Sequence, residues 1–114
     1  MSQLPRAANA IVDDAKIINY LLNPAHSPQA AGKAKFFAAC GFAVANWGGL
    51  KQALLGHPLV NAVSANETTP FGEKFEVTCS LETPDGRNPC IVSVWIIEPP
   101  SPDPRLVTAY PNPP

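Results

Sequence analysis

Three residues of types that handle phosphate groups stand in two distant parts of the chain. His26 directly precedes Ser27-Pro28, a pair typical of a helix start, and Lys33 follows on the predicted helix. Free N–H groups and the helix dipole favour negative charge at a helix N-terminus. Thr108 lies near the other end of the chain, in a stretch with strand propensity. We predict that His26, Lys33 and Thr108 line a shared pocket for a phosphate or another small anion.

The same residue types suit metal-independent cleavage of RNA. In that reaction a base takes the 2′-hydroxyl proton and cations stabilise the phosphorane. His26 would be the base or acid, Lys33 would stabilise developing charge and Thr108 would orient the phosphate. The supporting binding residues would be Lys35, Tyr110 and Arg105. The alternative is a loop histidine that fixes a turn, with lysines that solvate a helix face, and the residues alone leave both interpretations open.

Familiar catalytic motifs are absent from the sequence. It contains no GxSxG elbow, P-loop, HExxH zinc motif or Gly-rich dinucleotide turn. Its three cysteines, Cys40, Cys79 and Cys90, lack CxxC or Cys/His ligand spacing, so we expect neither a metal nor a cofactor. An odd number of cysteines fits a reducing cytosol, and we interpret all three as small buried hydrophobic residues.

Length, composition and charge narrow the class of protein. A chain of 114 residues with 46% hydrophobic residues predicts one globular domain with a real core. The net charge of −1 provides no strong basic field, so we expect modest non-specific affinity for RNA and no binding to DNA or membranes. No apolar stretch reaches the roughly 18 residues of a membrane span, and no signal peptide is recognisable. We expect a cytoplasmic protein.

The element that must position these residues is the stretch 90–98, whose residues 90–97 are apolar on both alternating faces apart from Ser93. Such a strand is usually central and covered on both sides. Period-two patterns predict further strands at 60–67, 75–82 and 105–110. Thr-Pro-x-Gly at 69–72 and 83–86 predicts hairpin turns that pair Phe75 with Trp95. The predicted core-facing stripe is Val63, Ala65, Phe75, Val77, Cys79, Leu81, Ile91, Trp95 and Ile97.

Helical patterns precede the strands. The first helix begins at Asp13 or Asp14, the second spans Pro28 to about Gly41, and the third runs from about 46 to 55. We therefore predict an α+β fold in which about three N-terminal helices pack on a four-stranded antiparallel meander sheet. Within one domain, 1–114, we expect an extended segment at 1–12, a helical layer at 13–56, the sheet at 59–110 and a loose tail at 111–114.

The face of the sheet away from the helices carries Val92, Val94 and Ile96. This apolar patch requires cover from the N-terminal segment, the tail or a partner chain. The open sheet has two edge strands, which also offer a site for pairing. Both features favour a homodimer.

Several stretches together resemble a bacterial family of uncharacterised short domains that also form C-terminal modules of polymorphic-toxin-like proteins. They are the segment 19–24 with His26, the segment 32–37, the two Thr-Pro-x-Gly turns and the segment 106–111. The resemblance implies the fold of the barnase, RelE, EndoU and colicin nucleases. It also implies a ribonuclease-like, toxin-type activity at His26, Lys33 and Thr108, with Tyr110 in support.

The chain departs from that nuclease pattern in two ways. It is slightly acidic, and from its start at Met we expect no delivery region. We therefore hold two hypotheses. One is an RNA-cleaving enzyme or its inactive relative, and the other is a non-catalytic protein-interaction module that acts as a homo-oligomer.

Overall fold

The structure is a computed structural model that describes residues 3–23, 25 and 27–112. In this part of the chain three helices precede the sheet: α1 (Asp14–Lys16), which continues into a π-helical turn (Ile17–Leu21), α2 (Pro28–Ala39) and α3 (Trp47–Val60). The strands are β1 (Val63–Thr69), β2 (Gly72–Ser80), β3 (Cys90–Ile97) and β4 (Arg105–Pro111). They form an antiparallel meander in the order β1-β2-β3-β4. The predicted α+β fold is confirmed.

Strand β3 lies inside the sheet and carries much of the core. Its partner β2 has the predicted register, with Phe75 opposite Trp95. The Trp95 side chain is fully buried against the helices. On the other face, Val92 and Val94 are each only 5% exposed within this single chain. These two valines therefore do not need the partner chain that their pattern suggested.

The predicted core stripe is interrupted at three positions. Ala65 is exposed because a bulge shifts the β1–β2 register between Val63 and Ala65. Cys79 is also exposed, although the alternation along β2 assigns it to the core face, and its backbone has a φ of +140°. Ile97, at the end of β3, is only half-buried. Of the cysteines, Cys40 is buried as expected, whereas the interpretation of Cys79 as a buried hydrophobic residue is wrong.

Helix α3 is longer than its sequence suggests. It continues past the predicted end at residue 55 and includes Pro58, so that β1 begins at Val63 rather than at residue 60. A proline in the last turn removes one backbone donor. Burial of Leu54, His57 and Pro58 opposes that loss, and Asn61 Nδ2 donates to the His57 carbonyl at 3.0 Å. Tertiary packing thus outweighs the local stop signal.

A buried polar network joins α3 to the sheet. Trp95 Nε1 donates to Ser93 Oγ at 2.8 Å, and Ser93 Oγ also lies 2.8 Å from His57 Nδ1. In a neutral imidazole that carries its proton on Nε2, Nδ1 is an acceptor, so the Ser93 hydroxyl donates to it. His57 Nε2 then donates to the Cys79 carbonyl at 2.8 Å. The Cys79 carbonyl can only accept, which places a proton on Nε2, and burial lowers the pKa of His57, which favours the neutral imidazole. The network also explains the polar Ser93 in an otherwise apolar strand.

Both ends of the described chain meet the sheet. Ile11 N donates to the Pro104 carbonyl and Leu106 N donates to the Ile11 carbonyl, which covers part of the outer edge of β4. At the other end Asn112 N donates to the Cys90 carbonyl at 3.0 Å. The ladder therefore includes residues 111 and 112, which the sequence assigned to a loose tail. None of the helices in the described ranges combines the length and apolar character needed to span a bilayer.

Candidate anion-binding site

Tyr20 is positioned by the π-helical turn. Leu22 N donates to the Ile17 carbonyl at 2.9 Å, five residues back, which widens this turn relative to an α-helix. The side chains of Ile17 and Leu21 are fully buried. They anchor the turn in the core and leave Tyr20 half-buried beside the Lys33 and Thr108 side chains.

Lys33 is positioned by the second turn of α2. The helix begins at Pro28, where a missing N–H costs nothing because the first donors of a helix are unpaired. Ala34 and Phe37 are buried and hold the helix on the core. Lys33 lies at the border of this apolar stripe, and its side chain is half-buried rather than extended into solvent.

Thr108 reaches the site because of a bulge in β4. Leu106 pairs with Trp95 and faces the core, whereas Thr108 pairs with Val94 on the opposite face. Strict alternation would place Leu106 and Thr108 on the same face. The extra residue, Val107, reverses the alternation and turns the Thr108 hydroxyl away from the core.

The three side chains converge at β4. Lys33 Nζ lies 2.5 Å from Tyr20 Oη and 2.9 Å from Thr108 Oγ1, and the two hydroxyl oxygens are 3.2 Å apart. A lysine ammonium has three N–H donors, of which these bonds use two. The cluster therefore presents one cationic group and two hydroxyls from three separate elements, a combination suited to phosphate oxygens. We call Tyr20, Lys33 and Thr108 the Lys33 cluster.

The electrostatics of the Lys33 cluster act on Tyr20. Burial alone would raise the pKa of the Tyr20 phenol, because it disfavours the phenolate. The hydrogen bonds from Lys33 and Thr108 and the positive charges of Lys33 and Lys16 outweigh burial, so the pKa is lowered. Lys16 Nζ lies 5.2 Å from the centre of the Tyr20 ring. The site is thus an electropositive environment in which negative charge on oxygen is stabilised.

The sheet extends this site with polar groups on the same face. Glu76, Val94 and Thr108 form one row across β2, β3 and β4, and the next row ends in Tyr110. Burial and the Glu76 charge raise the pKa of Tyr110. Glu76 stands two strands from Thr108, or about 10 Å along the row. A carboxylate on β2 and the Lys33 ammonium group beside β4 therefore lie toward opposite ends of this row, with the buried Val94 between them.

The structure brings together some of the predicted site residues but not all of them. Lys33 and Thr108 are in contact, and Tyr110 lies on the same sheet face. Lys35 is exposed and takes no part in the cluster. Arg105 pairs with Glu98 and lines a separate cleft of about 280 Å³. His26 lies outside the described residues, so its role stays a prediction.

Two residues of this site were not among the sequence candidates. Tyr20 belongs to the segment 19–24, but its helical stretch reads as a core-packing element. The one sequence signal for Tyr20 as a site residue was its place directly before a leucine whose helical spacing predicts a core-facing position. Glu76 reads as a solvated residue on an alternating strand, and only the sheet register places it in the row of Thr108.

Within the ranges that the structure covers, no group of three or more His, Cys, Asp or Glu side chains is arranged to hold an ion.

Comparison with known proteins gives a fold relative and a family. A chain of a contact-dependent growth inhibition toxin–immunity protein complex from Klebsiella pneumoniae 342 superposes with a TM-score of 0.70. The two chains are 14% identical, and the match covers 90% of this chain and 99% of the other, which establishes similarity of fold. No curated protein matches. Residues 3–113 match the profile described as "Domain of unknown function (DUF6883)", and the chain belongs to this family.

Proposed function

We propose that this chain is a ribonuclease-like, toxin-type domain that holds an RNA phosphate at the Lys33 cluster and cleaves RNA without a metal ion. The observation that carries the proposal is the convergence of Tyr20, Lys33 and Thr108 within 3.2 Å. The fold similarity to a chain of a toxin–immunity complex agrees with a toxin-type role, although a fold by itself does not fix a function.

The roles follow from the chemistry of each group. Lys33 and the two hydroxyls bind non-bridging phosphate oxygens and stabilise the charge that develops on the phosphorane. Glu76 is a carboxylate on the same face and can accept the 2′-hydroxyl proton. His26 is the second candidate for proton transfer. A slightly acidic chain attracts RNA weakly at long range, so recognition depends on this local site.

Incubation of the purified chain with total RNA in the presence of a chelator tests this function. Lys33→Met should reduce the cleavage rate by 100-fold or more, because one group that stabilises developing oxyanion charge contributes about that factor. Lys35→Met is the matched control: it removes the same charge from the same helix at an exposed position and should retain activity. His26→Ala should also lower the rate by about 100-fold or more if it transfers a proton.

Other outcomes separate an active enzyme from an inactive relative. Phosphate-dependent NMR shifts at Lys33 and Thr108 without cleavage would indicate a binding site that has lost catalysis. Equal activities for Lys33→Met and Lys35→Met would contradict the proposed role of the cluster. If the wild-type chain shows no cleavage and no phosphate-dependent NMR shifts, both forms of the proposal are rejected.

A second function, a protein-interaction module that forms a homo-oligomer, is supported by the outer edge of β1. Among the described residues β1 pairs only with β2, and the side chains of residues 64–68 are exposed. A polar edge with unpaired N–H and C=O groups can accept another strand. In sedimentation at micromolar concentration this module would give a species heavier than the 12.1 kDa monomer. Ala65→Lys on the edge should then restore the monomer. If the wild-type chain is already a monomer, this second function is excluded.

A further inference from the structure

Two cysteines that strict alternation would place on opposite faces of the sheet lie beside each other on adjacent strands. Cys79 pairs with Ile91, and Cys90 pairs with Ser80, so the cysteines are diagonal neighbours on β2 and β3. Diagonal neighbours on adjacent strands have Cα atoms about 6 Å apart. A disulfide accepts about 4.4–6.8 Å. The backbone spacing therefore suits a bond, provided that both side chains point to the same side.

The backbone of Cys79 supplies that orientation. Its φ of +140° lies in a region that side-chain-bearing residues rarely adopt. This conformation exposes Cys79, and its thiol interacts with the Cys90 thiol on the neighbouring strand. The His57 imidazole holds the strained peptide in place through the Cys79 carbonyl. Strain that surrounding contacts maintain in this way is characteristic of functional positions.

The two thiols differ in ways that give each one a role. Cys79 is exposed, and the hydrogen bond from Cys90 lowers its pKa. Cys90 is half-buried, and burial raises its pKa, while Asn112 Nδ2 lies 3.6 Å from its sulfur. An exposed thiol with a lowered pKa attacks first, and a shielded neighbour resolves the intermediate. Cys40 is buried elsewhere in the core and has no part in the pair.

We propose that Cys79 and Cys90 are a modification site that forms a reversible intramolecular disulfide by exchange with a small-molecule disulfide such as oxidised glutathione. The Cys79 thiolate attacks one glutathione sulfur, the glutathione S–S bond breaks, and the first glutathione leaves with a proton. Cys90 then loses its proton and attacks the Cys79 sulfur, which expels the second glutathione. Two protein thiols are oxidised, and one glutathione disulfide is reduced to two thiols.

The bond would join the ends of the loop 81–89. In this loop Asp85 N donates to the Cys40 carbonyl and Arg87 Nη2 donates to the Ala39 carbonyl, so the loop contacts the end of α2. A cross-link at its base restricts the unfolded chain and should stabilise the folded protein. This site is independent of the proposed RNA cleavage.

The test treats the reduced full chain with oxidised glutathione and then counts free thiols by alkylation in denaturant. We expect the protein to lose two hydrogens in mass and to keep one alkylatable thiol at Cys40, with peptide mapping that links Cys79 to Cys90. The melting temperature should rise by at least about 5 °C on oxidation and return on reduction. Cys79→Ser and Cys90→Ser should each stop at a mixed disulfide with glutathione or remain reduced.

Several results would overturn the proposal, and each can be obtained with the wild-type protein alone. These are a wild-type protein that stops at a mixed disulfide, one that remains fully reduced, a bond that includes Cys40, or a melting temperature that stays constant or falls on oxidation. The last result would show that the bond does not fit the native geometry.

Discussion

The Tyr20 phenol reports directly on the Lys33 cluster. Its pKa lies below the ordinary value because the hydrogen bonds and charges of its neighbours outweigh burial. Lys33 contributes most to the lowering of the Tyr20 pKa, because its ammonium group both donates to the phenol and attracts the phenolate. Without the Lys33 ammonium group, burial should outweigh the remaining interactions and raise the pKa of Tyr20.

We therefore predict that Lys33→Met raises the pKa of Tyr20, whereas Lys35→Met leaves it close to the wild-type value. The measurement is the ultraviolet absorbance of phenolate as a function of pH, in a Tyr110→Phe background that leaves Tyr20 as the remaining tyrosine. Equal titration curves for the two lysine variants would show that Lys33 does not interact with Tyr20 in solution.

The sequence could predict part of this site. Lys33 and Thr108 were identified as partners from their residue types and from a family resemblance. The contact itself depends on the bulge at Val107, which reverses the faces of β4. A bulge depends on cross-strand pairing rather than on the identity of the residue, so the sequence does not reveal it. The same limit applies to the exposed Cys79, whose unusual φ has no signal in its neighbours.

At the scale of elements, the hairpins were predictable because turn chemistry is local. Pro70 and Gly72 allow a tight connection that pairs Thr69 directly with Gly72. Gly86 adopts a left-handed φ of +77° in the second turn, as its position predicts. The end of α3 was not predictable, because its last turn is stabilised by burial against the sheet and not by its own sequence preferences.

The two turn glycines should differ in how far they tolerate a side chain. A Cβ at Gly72 would lie 2.2 Å from the Ile97 carbonyl oxygen, so Gly72→Ala forces β2 and β3 apart. A Cβ at Gly86 meets no atom of the described chain within 4 Å, so Gly86→Ala carries only the strain of a positive φ, about 1 kcal/mol. We expect Gly72→Ala to lower the free energy of unfolding by at least about 3 kcal/mol.

Chemical denaturation of both glycine variants measures this difference. The midpoint should fall much further for Gly72→Ala than for Gly86→Ala. Similar midpoints would mean that the approach of residue 72 to the Ile97 carbonyl is not maintained in solution.

For the whole molecule, His57 is the point at which the helical layer and the sheet are joined. Its two ring nitrogens bond to β3 and β2 while its backbone belongs to α3. Protonation would remove the acceptor at Nδ1 and place a charge in the core. The structure thus connects the docking of its layers to the protonation state of one imidazole.

This connection predicts how stability depends on pH. The pKa of His57 is lowered in the folded state and about 6.5 in the unfolded chain. The contribution of neutral His57 to the free energy of unfolding is therefore fully present above about pH 6.5. It is lost as the pH falls through the pKa that His57 has in the folded state. The slope for one proton is at most about 1.4 kcal/mol per pH unit. The carboxyl of Asp85, with a pKa of about 2, loses its contribution only at lower pH.

Urea unfolding between pH 8 and pH 5 measures this effect on three proteins, with the pH range set by the ordinary histidine pKa. The wild type should lose stability below about pH 6.5, and His57→Gln should be less stable throughout with a smaller slope. His26→Ala is the control, because His26 and His57 are the two histidines of the chain. Loss of the slope in His26→Ala rather than in His57→Gln would assign the titration to His26 and contradict the role of the buried network.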